Sequence, residues 1–115
     1  QLRVAMWCDV LAIEELPQGH QRCRNVNGRK LLLLHTEKGL YALENRCPHA
    51  DFPLYGGRVE ANAIRCPSHG ARFNLDDGEP LQSSHIGPAK TYPVMRRDGR
   101  VLVQIDEDTS GSTEW

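Results

Sequence analysis

At 115 residues, with 39% hydrophobic and 25% charged side chains, the chain is sized and composed as one soluble globular domain. Its 14 basic and 15 acidic residues leave a formal charge of −1, so no basic excess points to a nucleic acid or an anionic membrane surface as partner. The longest apolar run, Leu31 to Leu34, is four residues and far short of a membrane span. The residues after Gln1 hold no basic segment ahead of an apolar core. No export signal is therefore expected, and the location is read as cytoplasmic.

Taken in order, Leu2 to Trp7 is rich in strand formers and is expected to make the first strand. Val10 to Leu16, ended by Pro17 and Gly19, fits one helical turn or an irregular loop. Gln21 to Val26 and Arg29 to Thr36 flank Asn27-Gly28. Asn-Gly is the strongest short hairpin signal, because both central positions of a type I′ turn need positive φ. A turn at Lys38-Gly39 leads into a strand over Leu40 to Asn45, whose end delivers Cys47. From 46 to 88, prolines and glycines break the chain into short pieces. Within that stretch Val59-Glu60 and Ala63 to Cys66 form a short hairpin, followed by a strand over Arg72 to Leu75 turned at Asp77-Gly78. Lys90 to Arg96 and Arg100 to Ile105 make a last hairpin about Asp98-Gly99, and the polar tail from Asp106 is expected to fray. The expectation is an all-β domain of nine or ten short strands, built as a two-sheet sandwich or small barrel. Residues 1–106 are expected to form the domain, 46–88 a loop-rich subdomain inserted between the meander and the last hairpin, and 107–115 a flexible tail.

The chemistry is concentrated in Cys47-Pro48-His49 and Cys66-Pro67-Ser68-His69, with sixteen residues between His49 and Cys66. Two pairs, each one Cys and one His on its own loop, can close around one metal centre. Because two of the four cysteines sit in Cys/His pairs, metal binding is favoured over disulfides, and with it a reducing compartment. Cys8 and Cys23 have no nearby histidine and are expected to be buried, unpaired thiols. Thiolate and imidazole together suit a [2Fe–2S] centre. Exchanging two of four thiolates for neutral imidazoles removes about two negative charges and eases reduction, to roughly −150 to +300 mV against about −400 mV. Imidazole ligation also makes reduction depend on pH. Two Cys and two His satisfy tetrahedral zinc as well, although zinc sites more often use Cys-x₂-Cys spacings.

Cys-Pro-His-x₁₆-Cys-Pro-Ser-His-Gly resembles the Rieske [2Fe–2S] signature. Gly56-Gly57, Arg72-Phe73-Asn74 and Lys90-Thr91-Tyr92-Pro93-Val94 resemble the Rieske ferredoxins of bacterial aromatic-ring oxygenase systems. The resemblance spans roughly residues 2–106 and implies one cluster per chain. Cys47 and Cys66 would bind its buried iron, and His49 and His69 its outer iron. Respiratory Rieske proteins carry a disulfide between positions that are Phe52 and Ser68 here. They also carry a Ser and a Tyr, hydrogen-bonded to cluster sulfur, where this chain has Ala71 and Phe73. Fewer donors stabilise the reduced cluster less, so a potential near the bottom of the range is expected, on the order of −150 mV.

His20, His35 and His85 read as surface or structural residues, and Glu14-Glu15 and Arg96-Arg97 as solvated faces. Phe52, Pro53, Leu54, Pro67 and Pro88 are expected to form an apolar collar that shields the cluster or receives a partner. No Gly-rich nucleotide fingerprint and no second metal motif accompanies the two boxes, so the chain reads as an electron carrier rather than an enzyme. The resemblance implies a carrier that takes electrons from an NAD(P)H-dependent flavoprotein ferredoxin reductase and delivers them to a terminal oxygenase of aromatic hydrocarbon catabolism. A monomer is expected because a weakly associating carrier is more useful in that form. The alternatives are a small subunit of a nitrite reductase-type complex and a zinc-stapled interaction module.

Overall fold

The computed structural model describes residues 3–48, 52–68, 70–81 and 87–108. Among them the chain runs through ten strands and a single helical turn, Ile13–Glu15. The strands are β1 (Arg3–Ala12), β2 (Gln21–Val26), β3 (Arg29–Thr36), β4 (Gly39–Glu44) and β5 (Val59–Glu60). Then come β6 (Ala63–Arg65), β7 (Arg72–Asn74), β8 (Thr91–Tyr92), β9 (Val94–Arg97) and β10 (Arg100–Asp108). They form three antiparallel sheets in the orders β1-β10-β9, β2-β3-β4-β8 and β5-β6-β7. The all-β expectation holds, and the hairpin and following strand expected within the inserted subdomain pair as the third sheet. That sheet is the one lying within 46–88.

The hairpin signals act where they stand. Asn27 and Gly28 take φ of 52° and 80°, and Asp98 and Gly99 take 51° and 77°, the left-handed pairs of type I′ turns. β2 and β3 consequently pair in register from Val26↔Arg29 to Gln21↔Leu34. The β5–β6 turn has the same geometry on Ala61 and Asn62, at 52° and 61°, without a glycine to announce it.

Three segments depart from the sequence reading. The first strand continues to Ala12, with a register shift between Asp9 and Leu11, so only Ile13–Glu15 is helical. It pairs with β10, which joins the two ends of the described chain and carries β10 to Asp108, past the expected start of the tail. The expected strand over Lys90 to Arg96 is split at Pro93. Proline lacks the N–H a ladder requires. β8 therefore ends on β4, and β9 begins a new pairing with β10.

β3 explains why Leu31 to Leu34 is an unbroken apolar run. Successive side chains of a strand point to opposite faces. Leu32 and Leu34 pack with Leu43, Ile64, Phe73, Cys47 and Cys66, while Leu31 and Leu33 pack with Leu11, Ala42, Val101, Val103 and Ile105. The strand is sandwiched between two cores, and one of them holds both cysteines of the boxes.

Candidate metal centre

β4 ends at Glu44, and Asn45 and Arg46 carry the chain into Cys47. β6 ends at Arg65, immediately before Cys66. Each cysteine opens a loop closed in the same way. The Cys47 N–H donates to the carbonyl oxygen of Phe52 at 2.7 Å, and the Cys66 N–H to that of Ala71 at 2.7 Å. Both bonds therefore reach five residues ahead. The second loop is tightened further by the Gly70 N–H donating to the Cys66 carbonyl at 2.9 Å.

Cys47 and Cys66 are 0% and 1% exposed and belong to one core, yet no disulfide forms among the four cysteines. Cysteines do bury as small hydrophobes. Here, however, the two buried thiols head matching loops, each with a histidine two or three residues on, and that donor set fits a [2Fe–2S] centre. His49 and His69 lie outside the described residues, so the geometry speaks for the cysteine half of the ligand set. Ala71 and Phe73, the positions without hydroxyls, are both buried in the core that holds the two cysteines.

Of the residues expected in the apolar collar, Phe52, Pro53, Pro67 and Pro88 are exposed, and so are the apolar side chains of Tyr55 and Leu81. Leu54 does not belong to it: fully buried, it packs beside the cysteines as a core residue. Cys8 and Cys23 also depart from expectation, since Cys8 is half-buried and Cys23 exposed on β2. Partial desolvation pushes the Cys23 thiol above its ordinary value, opposed by the Arg24 guanidinium. The Tyr41 phenol is raised as well, by desolvation first and then by the Asp76 carboxylate.

His20 is exposed, and His35 is structural, its Nδ1 lying 2.8 Å from the Leu16 carbonyl oxygen. His85 lies outside the described residues. Glu14, Arg96 and Arg97 are exposed as expected, whereas Glu15, though exposed, meets Arg24 at 2.8 Å. Two residues near the first loop escaped the sequence reading. Asn45 and Gln21 bind its backbone through their side chains, and the only signal available was a polar amide placed two residues before Cys47.

Comparison with known proteins places this geometry. The Rieske [2Fe–2S] domain matches residues 6–93. The ferredoxin component of naphthalene 1,2-dioxygenase/salicylate 5-hydroxylase systems from Ralstonia sp is 31% identical over 100 residues, covering 87% of this chain and 96% of that protein. The ferredoxin of carbazole 1,9a-dioxygenase from Nocardioides aromaticivorans IC177 superposes with a TM-score of 0.78 at 27% identity, over 85% of this chain and 96% of that one. A chain of the complex of reduced oxygenase and oxidized ferredoxin in carbazole 1,9a-dioxygenase superposes at 0.76 with 31% identity, over 84% and 91%. The chain belongs to the Rieske [2Fe–2S] domain family, and a [2Fe–2S] cluster is its cofactor.

Proposed function

We propose that Cys47, His49, Cys66 and His69 hold the cluster, and that the chain is the ferredoxin component of an oxygenase system. It takes single electrons from an NAD(P)H-dependent flavoprotein reductase and passes them to a terminal aromatic-ring oxygenase, working as a monomer in the cytoplasm. The observation that carries this reading is the pair of matching loops, each closed from a buried cysteine to the carbonyl five residues ahead. Relatives of nearly the same length are ferredoxin components of dioxygenase systems, and a structural neighbour comes from a complex with an oxygenase. Among the described residues, no helix is long and apolar enough to cross a membrane.

When bound, a cluster of this kind accepts and releases one electron at a potential set by its ligands and hydrogen bonds. The protein's own residues supply the rest. The core around Leu54, Ile64 and Phe73 keeps water from Cys47 and Cys66. Phe52, Pro53 and Pro67 offer an exposed apolar surface beside both loops, suited to brief contact with a partner protein. The third sheet and the four-stranded sheet share one core, which makes a stiff base for the loops.

Iron and acid-labile sulfide analysis tests the ligand set, together with reductase-coupled transfer to cytochrome c. Two irons and two sulfides per chain are expected in the wild type. His49→Ala and His69→Ala should each bleach the visible absorbance and abolish transfer. A normal cluster and full transfer in either variant would refute the assignment, and one zinc without sulfide would replace it with a structural zinc site.

A further inference from the structure

The first ligand loop is held at its base by two neutral amide side chains. Asn45 grips both ends of it. Its backbone N–H donates to the Lys30 carbonyl at 2.8 Å, fixing the entry to sheet β2-β3-β4-β8. Its side-chain Oδ1 accepts from the N–H groups of Leu54 and Tyr55, each at 2.9 Å, fixing the exit. Gln21, on β2, takes the next two residues: its Oε1 accepts from the Gly56 N–H at 2.9 Å, and its Nε2 donates to the Gly57 carbonyl at 2.8 Å. The turn is completed by the Gly57 N–H donating to the Leu54 carbonyl at 3.0 Å. Two side chains thus bind a polar backbone group on each of four successive residues.

The clamp also reaches the second loop. A Cβ on Gly57 would lie 2.2 Å from the carbonyl oxygen of Arg65, the residue directly before Cys66. The exit of the first loop is therefore pressed onto the entry of the second. Asn45 stands two residues before Cys47, so a single clamped turn relates the two cysteines to each other.

We propose that Asn45 and Gln21 are positioning residues of the metal centre, setting the separation of the Cys47 and Cys66 loops. This rests on the reading that these loops hold the cluster. Neither residue is a ligand; each acts through the backbone of 54–57. Side chains fixed by several hydrogen bonds hold a site more closely than a loop held by packing alone.

The test uses the full chain loaded with its cluster, as Asn45→Ala, Asn45→Asp and Gln21→Ala variants. Readouts are the g-values of the reduced protein, visible circular dichroism, the half-time of bleaching in air, and the melting temperature. Asn45→Ala is expected to shift the g-values and the visible dichroism and to bleach several-fold faster. Asn45→Asp keeps two oxygen acceptors for Leu54 and Tyr55, so its visible spectrum should return to that of the wild type. Gln21→Ala should reproduce the spectral shift in weaker form, and it carries the test alone if Asn45→Ala does not fold. Wild-type g-values and dichroism in both alanine variants, with bleaching that merely follows the melting temperature, would overturn the inference. A wild type without iron and sulfide would overturn the ligand assignment first and this inference with it. An intact wild-type cluster beside indifferent variants overturns the inference alone.

Discussion

The backbone N–H of Cys66 donates to the carbonyl oxygen of Ala71 at 2.7 Å, repeating at the second loop the bond that ties Cys47 to Phe52. Ala71 is thereby fixed next to a buried cysteine, and Phe73 lies fully buried in the same core. Neither offers a hydroxyl to cluster sulfur, so the potential should lie on the order of −150 mV. Ala71→Ser and Phe73→Tyr should each move it upward, and the double variant furthest. Redox titration checks this; a clearly positive wild-type potential contradicts it.

Gly78 and Gly19 separate backbone strain from crowding. Both have positive φ, +79° and +90°, but a Cβ at Gly78 would stand 1.9 Å from the Ala89 carbonyl oxygen, while nothing lies within 4 Å at Gly19. The Ala89 N–H also donates to the Gly78 carbonyl at 2.8 Å, so the two backbones cannot part without losing that bond. Gly19→Ala should cost about 1–2 kcal/mol, the ordinary penalty of a left-handed residue. Gly78→Ala should cost roughly 3 kcal/mol or more, because backbone must move. Urea unfolding of the two variants compares them, and equal losses would show that Gly78 has room to relax.

Leu32→Ala and Leu33→Ala remove the same atoms from neighbouring positions of β3, each on a different core. Each should cost about 2–5 kcal/mol. Only Leu32→Ala opens the core that contains Cys47 and Cys66, so it alone should shorten the lifetime of the visible absorbance at temperatures well below unfolding. Equal cluster lifetimes would mean the two cores are not separable in this respect.

Cys23 supplies a pH dependence with a definite sign. Its thiol is raised by desolvation against a smaller opposing effect of Arg24, so the thiolate fraction at neutral pH is lower than for an ordinary cysteine. Alkylation by iodoacetamide should be slow at pH 7 despite exposure, and its rate should climb through a midpoint above the ordinary thiol range. Peptide mapping after timed alkylation reads the site directly. A rate already saturated near neutrality would contradict the desolvation.

Much of the candidate site could be proposed from the chain because its parts are local. The two Cys/His boxes are contiguous, their type of chemistry follows from residue identity, and the turns at Asn27-Gly28 and Asp98-Gly99 follow from steric rules acting on two residues at a time. What escaped depends on pairing between distant segments. β1 runs on to Ala12 because β10 offers it a ladder, and Leu54 leaves the collar because a core closes over it. Cys23 is exposed because β2 turns that position outward, which periodicity within β2 alone did not reveal. The largest such effect is at the Cys47 loop. Amino-acid order by itself determined which two cysteines head the loops. Only the tertiary structure brought Gln21 and Asn45 together on residues 54–57, since a side-chain amide binds whichever backbone groups folding places within 3 Å of it.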